Sequence, residues 1–157
     1  MLNIQIICVG NIKEKFYTDA IQEYKKRLQS FCKLEITELK EYKFTKENPQ
    51  EISLALASEG KEILKKIKGY VIALAINGKN YSSEELSKHI EQLGVSGNSQ
   101  ITFIIGSSYG LSKEVLDNVN EKLSFSKLTF PHQLMRVILL EQIYRAFTII
   151  NGKNYHK

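Results

Sequence analysis

Ile101-Thr102-Phe103-Ile104-Ile105-Gly106-Ser107-Ser108-Tyr109-Gly110 is the stretch on which the fold turns. Its first five residues carry no charge, four of them are β-branched, and a glycine follows, a pattern that specifies a strand covered on both faces of a sheet. Upstream, Tyr70-Val71-Ile72-Ala73-Leu74-Ala75-Ile76 is a second such run, and Asn77-Gly78 after it marks a tight turn. Residues 2–10 alternate and then become wholly apolar up to Gly10, and residues 32–39 alternate, which adds two further strands.

Between the strands the period changes. Phe16, Ala20, Ile21, Tyr24 and Leu28 recur at helical spacing within residues 13–30, as do Ile52, Leu56, Ile63, Leu64 and Ile67 within residues 51–67, which Gly69 ends. Residues 40–50 read as a polar loop. Ser82 or Ser83 caps a third helix, and a short one spans residues 112–118. A brief extended segment is expected around residues 123–130, after which Pro131 opens a helix from His132 to about Ile150 and Gly152 closes it. Strands alternating with helices over the whole length specify one α/β domain, residues 1–157, with a mainly parallel sheet and helices on both faces.

The chain has 157 residues, 43% of them hydrophobic, a formal charge of +5 and a pI near 9.1. This charge permits a polyanionic partner without requiring one. The apolar run at residues 2–9 has no basic leader and is too short to span a membrane, so a cytoplasmic location is expected. Cys8 and Cys32 fall in strand-like runs and read as buried thiols; His89, His132 and His156 have no ligand spacing, so no metal is expected.

Ligands of open α/β sheets bind beyond the carboxyl ends of the strands, which here are Leu74 to Gly78 and Ile104 to Gly110. The second loop is GxxxG, not GxGxxG, and no Walker lysine follows, which disfavours nicotinamide and nucleoside-triphosphate chemistry. The same glycines would also serve turn geometry alone. On the last helix Leu134, Met135, Val137, Ile138, Leu139, Leu140, Ile143, Tyr144 and Phe147 spread around the circumference, which calls for a second chain as cover, a homodimer, or for a central position in a monomer. Glu141 and Arg145 have the order of an intrahelical ion pair, whereas His132 and Arg136, one turn apart at a positive helix start, would suit an anionic RNA group, or His132 would simply pack or cap. Tyr155, His156 and Lys157 could stack on a base and neutralise phosphate, or fray.

Several strings resemble those of the ribosomal RNA large-subunit methyltransferase H family. They are Val9-Gly10, Glu23-Tyr24 with Arg27, Glu59-Gly60, Ile105-Gly106 with Gly110-Leu111, Leu123 to Ser126, Thr129-Phe130-Pro131-His132-Gln133 with Arg136, Glu141 to Ala146, and Tyr155-His156-Lys157. The resemblance implies a SPOUT-type α/β fold with a C-terminal trefoil knot, a homodimer, and S-adenosylmethionine bound by Leu74, Gly106 and the loop Phe125, Ser126, Lys127, Leu128, Thr129 and Phe130. It departs at Ser107 and Ser108, where relatives often have a second glycine. The implied reaction is methylation of N3 of a pseudouridine in 23S ribosomal RNA, with the large subunit or assembled 70S ribosome as partner. Arg136 or Lys157 would favour the anionic base, His132 or His156 would take the proton, and Tyr155 would stack. The alternatives are a non-catalytic RNA- or ribosome-binding module and an unrelated small-molecule α/β enzyme.

Overall fold

The computed structural model describes residues 1–157. In chain order its elements are β1 (Leu2–Val9), α1 (Lys15–Leu28), β2 (Cys32–Leu39), α2 (Pro49–Lys66), β3 (Tyr70–Asn80), α3 (Ser83–Val95), β4 (Gln100–Ile105), α4 (Lys113–Asp117), β5 (Glu121–Ser124) and α5 (His132–Ile150). The strands form one sheet in the order β2-β1-β4-β3-β5, with every pair parallel.

Side chains of a strand alternate between faces, and that alternation divides the core in two. Ile4, Ile6 and Cys8 of β1, Ile72 of β3, and Ile101, Phe103 and Ile105 of β4 point to the face covered by α1, α3 and α5. Ile7, Val9, Val71, Ala73 and Ile104 point to the other, against Ile63 of α2 and Val115 of α4. Since both faces are covered, the central strands have no polar alternation, which is the pattern that residues 101–105 display. Three helices begin on side-chain caps that satisfy free N–H groups: Asn48 accepts from the Glu51 amide at 2.9 Å, Ser82 from Glu85 at 3.0 Å, and Ser112 from Val115 at 3.2 Å.

Two expectations are corrected. Asn77-Gly78 makes no turn, because β3 continues to Asn80 while its register with β5 jumps, both Leu74 and Lys79 standing opposite Leu123. Gly78 is required there for proximity and not for a positive φ: a Cβ on it would lie 2.7 Å from the Leu123 nitrogen. Secondly, β5 stops at Ser124, well before residue 130. Its backbone is diverted where the Ser124 hydroxyl donates to the Ser126 carbonyl at 3.0 Å and the Leu128 amide donates to Ser126 Oγ at 3.0 Å. Residues 125–131 thereby become a loop beside the strand ends.

Helix α5 packs Leu139, Leu140, Ile143, Ala146 and Phe147 into the core, and α1 and α3 flank it. Leu134, Ile138, Glu141 and Arg145, on its opposite side, stay half-buried in the single chain. Cys8 and Cys32 are buried free thiols, and burial pushes both up to about 12. No helix is long and apolar enough to cross a membrane.

Candidate functional site

The carboxyl ends of β3, β4 and β5 open into a cavity of about 990 Å³. Leu74, Ala75 and Ile76 of β3 form one wall, the loop from Gly106 to Leu111 a second, and Phe125, Ser126, Leu128, Thr129 and Phe130 a third, with His132 and Met135 at the start of α5 closing the end. The position follows from the topology: β4 lies between β1 and β3, and the chain leaving β4 crosses β3 to reach β5, so two long connections diverge above the strand ends.

Gly106 is tightly constrained. A Cβ on it would stand 2.3 Å from the Gly110 carbonyl oxygen, and the loop returns through a Gly110-to-Ser107 backbone hydrogen bond of 2.9 Å, with Gly110 at φ +89°. Ser107 and Ser108 are accommodated without distortion, since no non-glycine residue has a positive φ. Beneath the loop, Glu59 of α2 is buried and accepts the Tyr42 amide at 3.0 Å; burial pushes its carboxyl above the usual range, against the lowering effect of that bond and of the Ser107 hydroxyl.

His132 is half-buried at the cavity, and its Nδ1 is buried without a hydrogen-bond partner. Burial holds the imidazole below its ordinary pKa; Glu41 opposes the shift and the Arg136 charge reinforces it. It is therefore a neutral imidazole at pH 7, able to accept a proton.

The guanidinium of Arg136 points away from this cavity. It is 3% exposed, bonds Glu38 Oε2 through Nη1 at 2.7 Å, and donates through Nη2 to the Val9 and Gly10 carbonyls at 3.1 and 2.7 Å. Arg136 thus fastens the first turn of α5 to the carboxyl ends of β1 and β2.

The tail lies elsewhere again. Tyr155 donates to Glu141 Oε1 at 2.9 Å and sits against Tyr144 and Arg145, while His156 contacts Arg145 Nη1 at 3.1 Å and Glu84 Oε1 at 2.7 Å. The expected Glu141–Arg145 ion pair is present at 2.8 Å. Arg145 is thirteen residues beyond His132, about 20 Å along the helix. Within one chain, then, Leu74, Gly106, Phe125, Ser126, Leu128, Thr129, Phe130 and His132 come together; Arg136, Tyr155 and His156 do not, and Lys127 and Lys157 are exposed outside the lining.

Sequence reasoning placed Ser107 and Tyr109 within the strand-end loop without giving them a role, and missed Glu59 as the support beneath that loop. A charged residue at 59 in register with buried Ala55 and Ile63 was the available signal. No three His, Cys, Asp or Glu side chains are grouped as a metal site.

A family model described as "Predicted SPOUT methyltransferase" matches residues 2–156. A relative from Clostridioides difficile (strain 630), named ribosomal RNA large subunit methyltransferase H, is 56% identical over 99% of this chain and 100% of its own length. Among solved structures, one from Bordetella pertussis Tohama I, described as a probable methyltransferase, superposes with a TM-score of 0.59 at 10% identity, over 93% of this chain and 95% of that one. Another, from Legionella pneumophila and solved with bound cofactor SAM, gives 0.50 at 13% identity, over 92% and 66%. At such identities the structural likeness is one of fold.

Proposed function

The chain belongs to the SPOUT methyltransferase family, and from this membership and its full-length likeness to a large-subunit ribosomal RNA methyltransferase we infer that it methylates large-subunit ribosomal RNA with S-adenosylmethionine as donor. The target is N3 of a pseudouridine in 23S RNA, presented on the assembled ribosome. One observation carries the donor part of this reading: the cavity at the strand ends, with apolar walls, serine and threonine groups in its loops, and a neutral imidazole at its end; the pseudouridine target and the assembled ribosome rest on the family resemblance alone.

The residues present fit the donor. Leu74, Phe125, Leu128 and Phe130 offer apolar faces to an adenine and a methionine chain, the two loops offer backbone groups, and 990 Å³ is within the size range of small-molecule cavities. When bound, the donor supplies an activated methyl on a sulfonium, so the protein has to align the nucleophile and exclude water. His132 accepts the N3 proton as the lone pair is freed; its lowered pKa keeps it unprotonated at neutral pH. Arg136 acts by holding the first turn of α5, and with it His132, in place.

The same reading includes the C-terminal knot and a homodimer. The half-buried stripe of Leu134, Ile138, Glu141 and Arg145 supports a second chain against α5, and the 20 Å between His132 and the docked tail supports Tyr155, His156 and Lys157 serving the partner's cavity. The test is calorimetric titration of S-adenosylmethionine into the full chain. We expect one site per chain, weakened when Leu74 is changed to Arg. Absence of any binding heat across temperatures would favour a non-catalytic RNA-binding module.

A further inference from the structure

The cavity wall formed by the 106–110 loop is supported from below by a side chain that touches nothing inside the cavity. Glu59 is 6% exposed, on the face of α2 turned to this loop. Its Oε2 accepts the amide of Tyr42, in the β2–α2 connection, at 3.0 Å, and the Ser107 hydroxyl lies near enough to lower the carboxyl's pKa without completing a hydrogen bond. No cation pairs with Glu59 among the ion pairs of the chain, so the desolvated carboxylate is stabilised by the Tyr42 amide and the nearby Ser107 hydroxyl alone.

Neighbouring contacts bring the same two segments together. Gly60 lets α2 approach the loop's exit, where a Cβ on it would lie 2.6 Å from Ser112 Oγ. Above, the rings of Phe44 and Tyr109 pack at 5.7 Å, and Tyr109 lines the cavity. The connection at residues 41–44 and the loop at residues 106–110 are therefore held at two levels, by an aromatic pair outside and by the carboxylate within.

We propose that Glu59 is a positioning residue for the methyl donor: buried beneath the loop that carries Ser107, it anchors Tyr42 and with it the segment packed against that loop, and so fixes the wall against which the donor seats. This rests on the donor reading above. A buried carboxylate is worth its desolvation only while the Tyr42 amide faces it, so losing it releases residues 41–44 and the loop packed on them, and that freedom is then lost again each time a ligand binds. The effect falls on donor affinity and not on the chemical step, since Glu59 reaches no reacting atom.

The experiment compares wild type with Glu59→Ala, Glu59→Gln and Ser107→Ala in the full chain. Readouts are calorimetric binding of S-adenosylmethionine, hydrogen exchange of residues 41–44 and 106–110 without ligand, and KM and kcat on ribosomes. Glu59→Ala is expected to weaken binding about tenfold to a hundredfold, as befits loss of a hydrogen bond to a charged group, and to speed exchange in both segments. Its kcat at saturating donor should stay within about threefold. Glu59→Gln, whose amide oxygen can still accept from Tyr42, should recover most of the affinity, with Ser107→Ala intermediate. Should Glu59→Ala fail to fold, Ser107→Ala decides through its affinity together with the exchange of residues 41–44 without ligand, a readout that a lost cavity contact of Ser107 would leave unchanged. Wild-type affinity in Glu59→Ala, or wild-type affinity or wild-type exchange of residues 41–44 in Ser107→Ala where that variant decides, would overturn the inference, as would Glu59→Gln binding as weakly as Glu59→Ala. A wild type that binds no donor would overturn the functional reading itself, and the inference with it.

Discussion

Two side chains one turn apart on α5 have opposite duties. His132 faces the cavity with an unpartnered ring nitrogen, and its burial lowers its pKa. Protonation on acidification should therefore silence the enzyme only below the ordinary histidine range near 6.5; His132→Gln should cost about 10² to 10⁴ in kcat and remove that acid limb from the pH–rate profile. The linkage has the same sign: the unfolded chain takes up the proton at higher pH than the folded one, so stability falls as pH drops through and below about 6.5. Arg136, by contrast, is committed to Glu38 and to the Val9 and Gly10 carbonyls. Arg136→Ala would leave those carbonyls and a carboxylate unpaired. Because Glu38 is 43% exposed and partly screened, we expect a loss of about 2–4 kcal/mol, below the upper range for a wholly buried pair, seen as a lower denaturation midpoint in urea.

At the level of elements, β3 and its partner β5 shape the site more than their lengths suggest. The jump in register between Leu74 and Lys79 brings the end of β3 over β5, and Gly78 lies so close to Leu123 that Gly78→Ala should cost about 1–3 kcal/mol and reduce donor affinity, checked by melting and calorimetry together. Here the sequence misled for a physical reason. Asn-Gly usually signals freedom of φ, but this glycine serves close approach with an ordinary φ, and nothing local distinguishes the two uses. β1, β4 and α5 were readable because burial on both faces of the sheet, and nearly all round the helix, removes polar alternation from the sequence itself. Arg136 showed its type but not its partner, as Glu38 is 98 residues away and nothing around Arg136 announces it. Gly106 and His132 could be placed from their loop and helix start; Glu59 showed only a charge in register with buried Ala55 and Ile63, and which loop folds over that carboxylate is not local information.

The whole molecule divides the labour between two ends of α5. The cavity lies at its first turn, while Tyr155 and His156 dock three turns on against Glu141, Arg145 and Glu84. If two chains pair about a two-fold axis as proposed, with the tail of one serving the cavity of the other, removal of residues 155–157 should lower kcat sharply and leave donor binding unchanged. Mixing His132→Gln chains with tail-deleted chains should then restore about a quarter of the sites, because half of randomly paired dimers combine an intact His132 with an intact tail once. The most direct measurement of the central claim is transfer of labelled methyl from S-adenosylmethionine to ribosomes lacking this modification, beside ribosomes lacking the pseudouridine, with the labelled nucleoside identified. Label recovered as N3-methylpseudouridine from the first and absent from the second is the predicted result; label in another nucleoside, equal label in both, or none in either would contradict it.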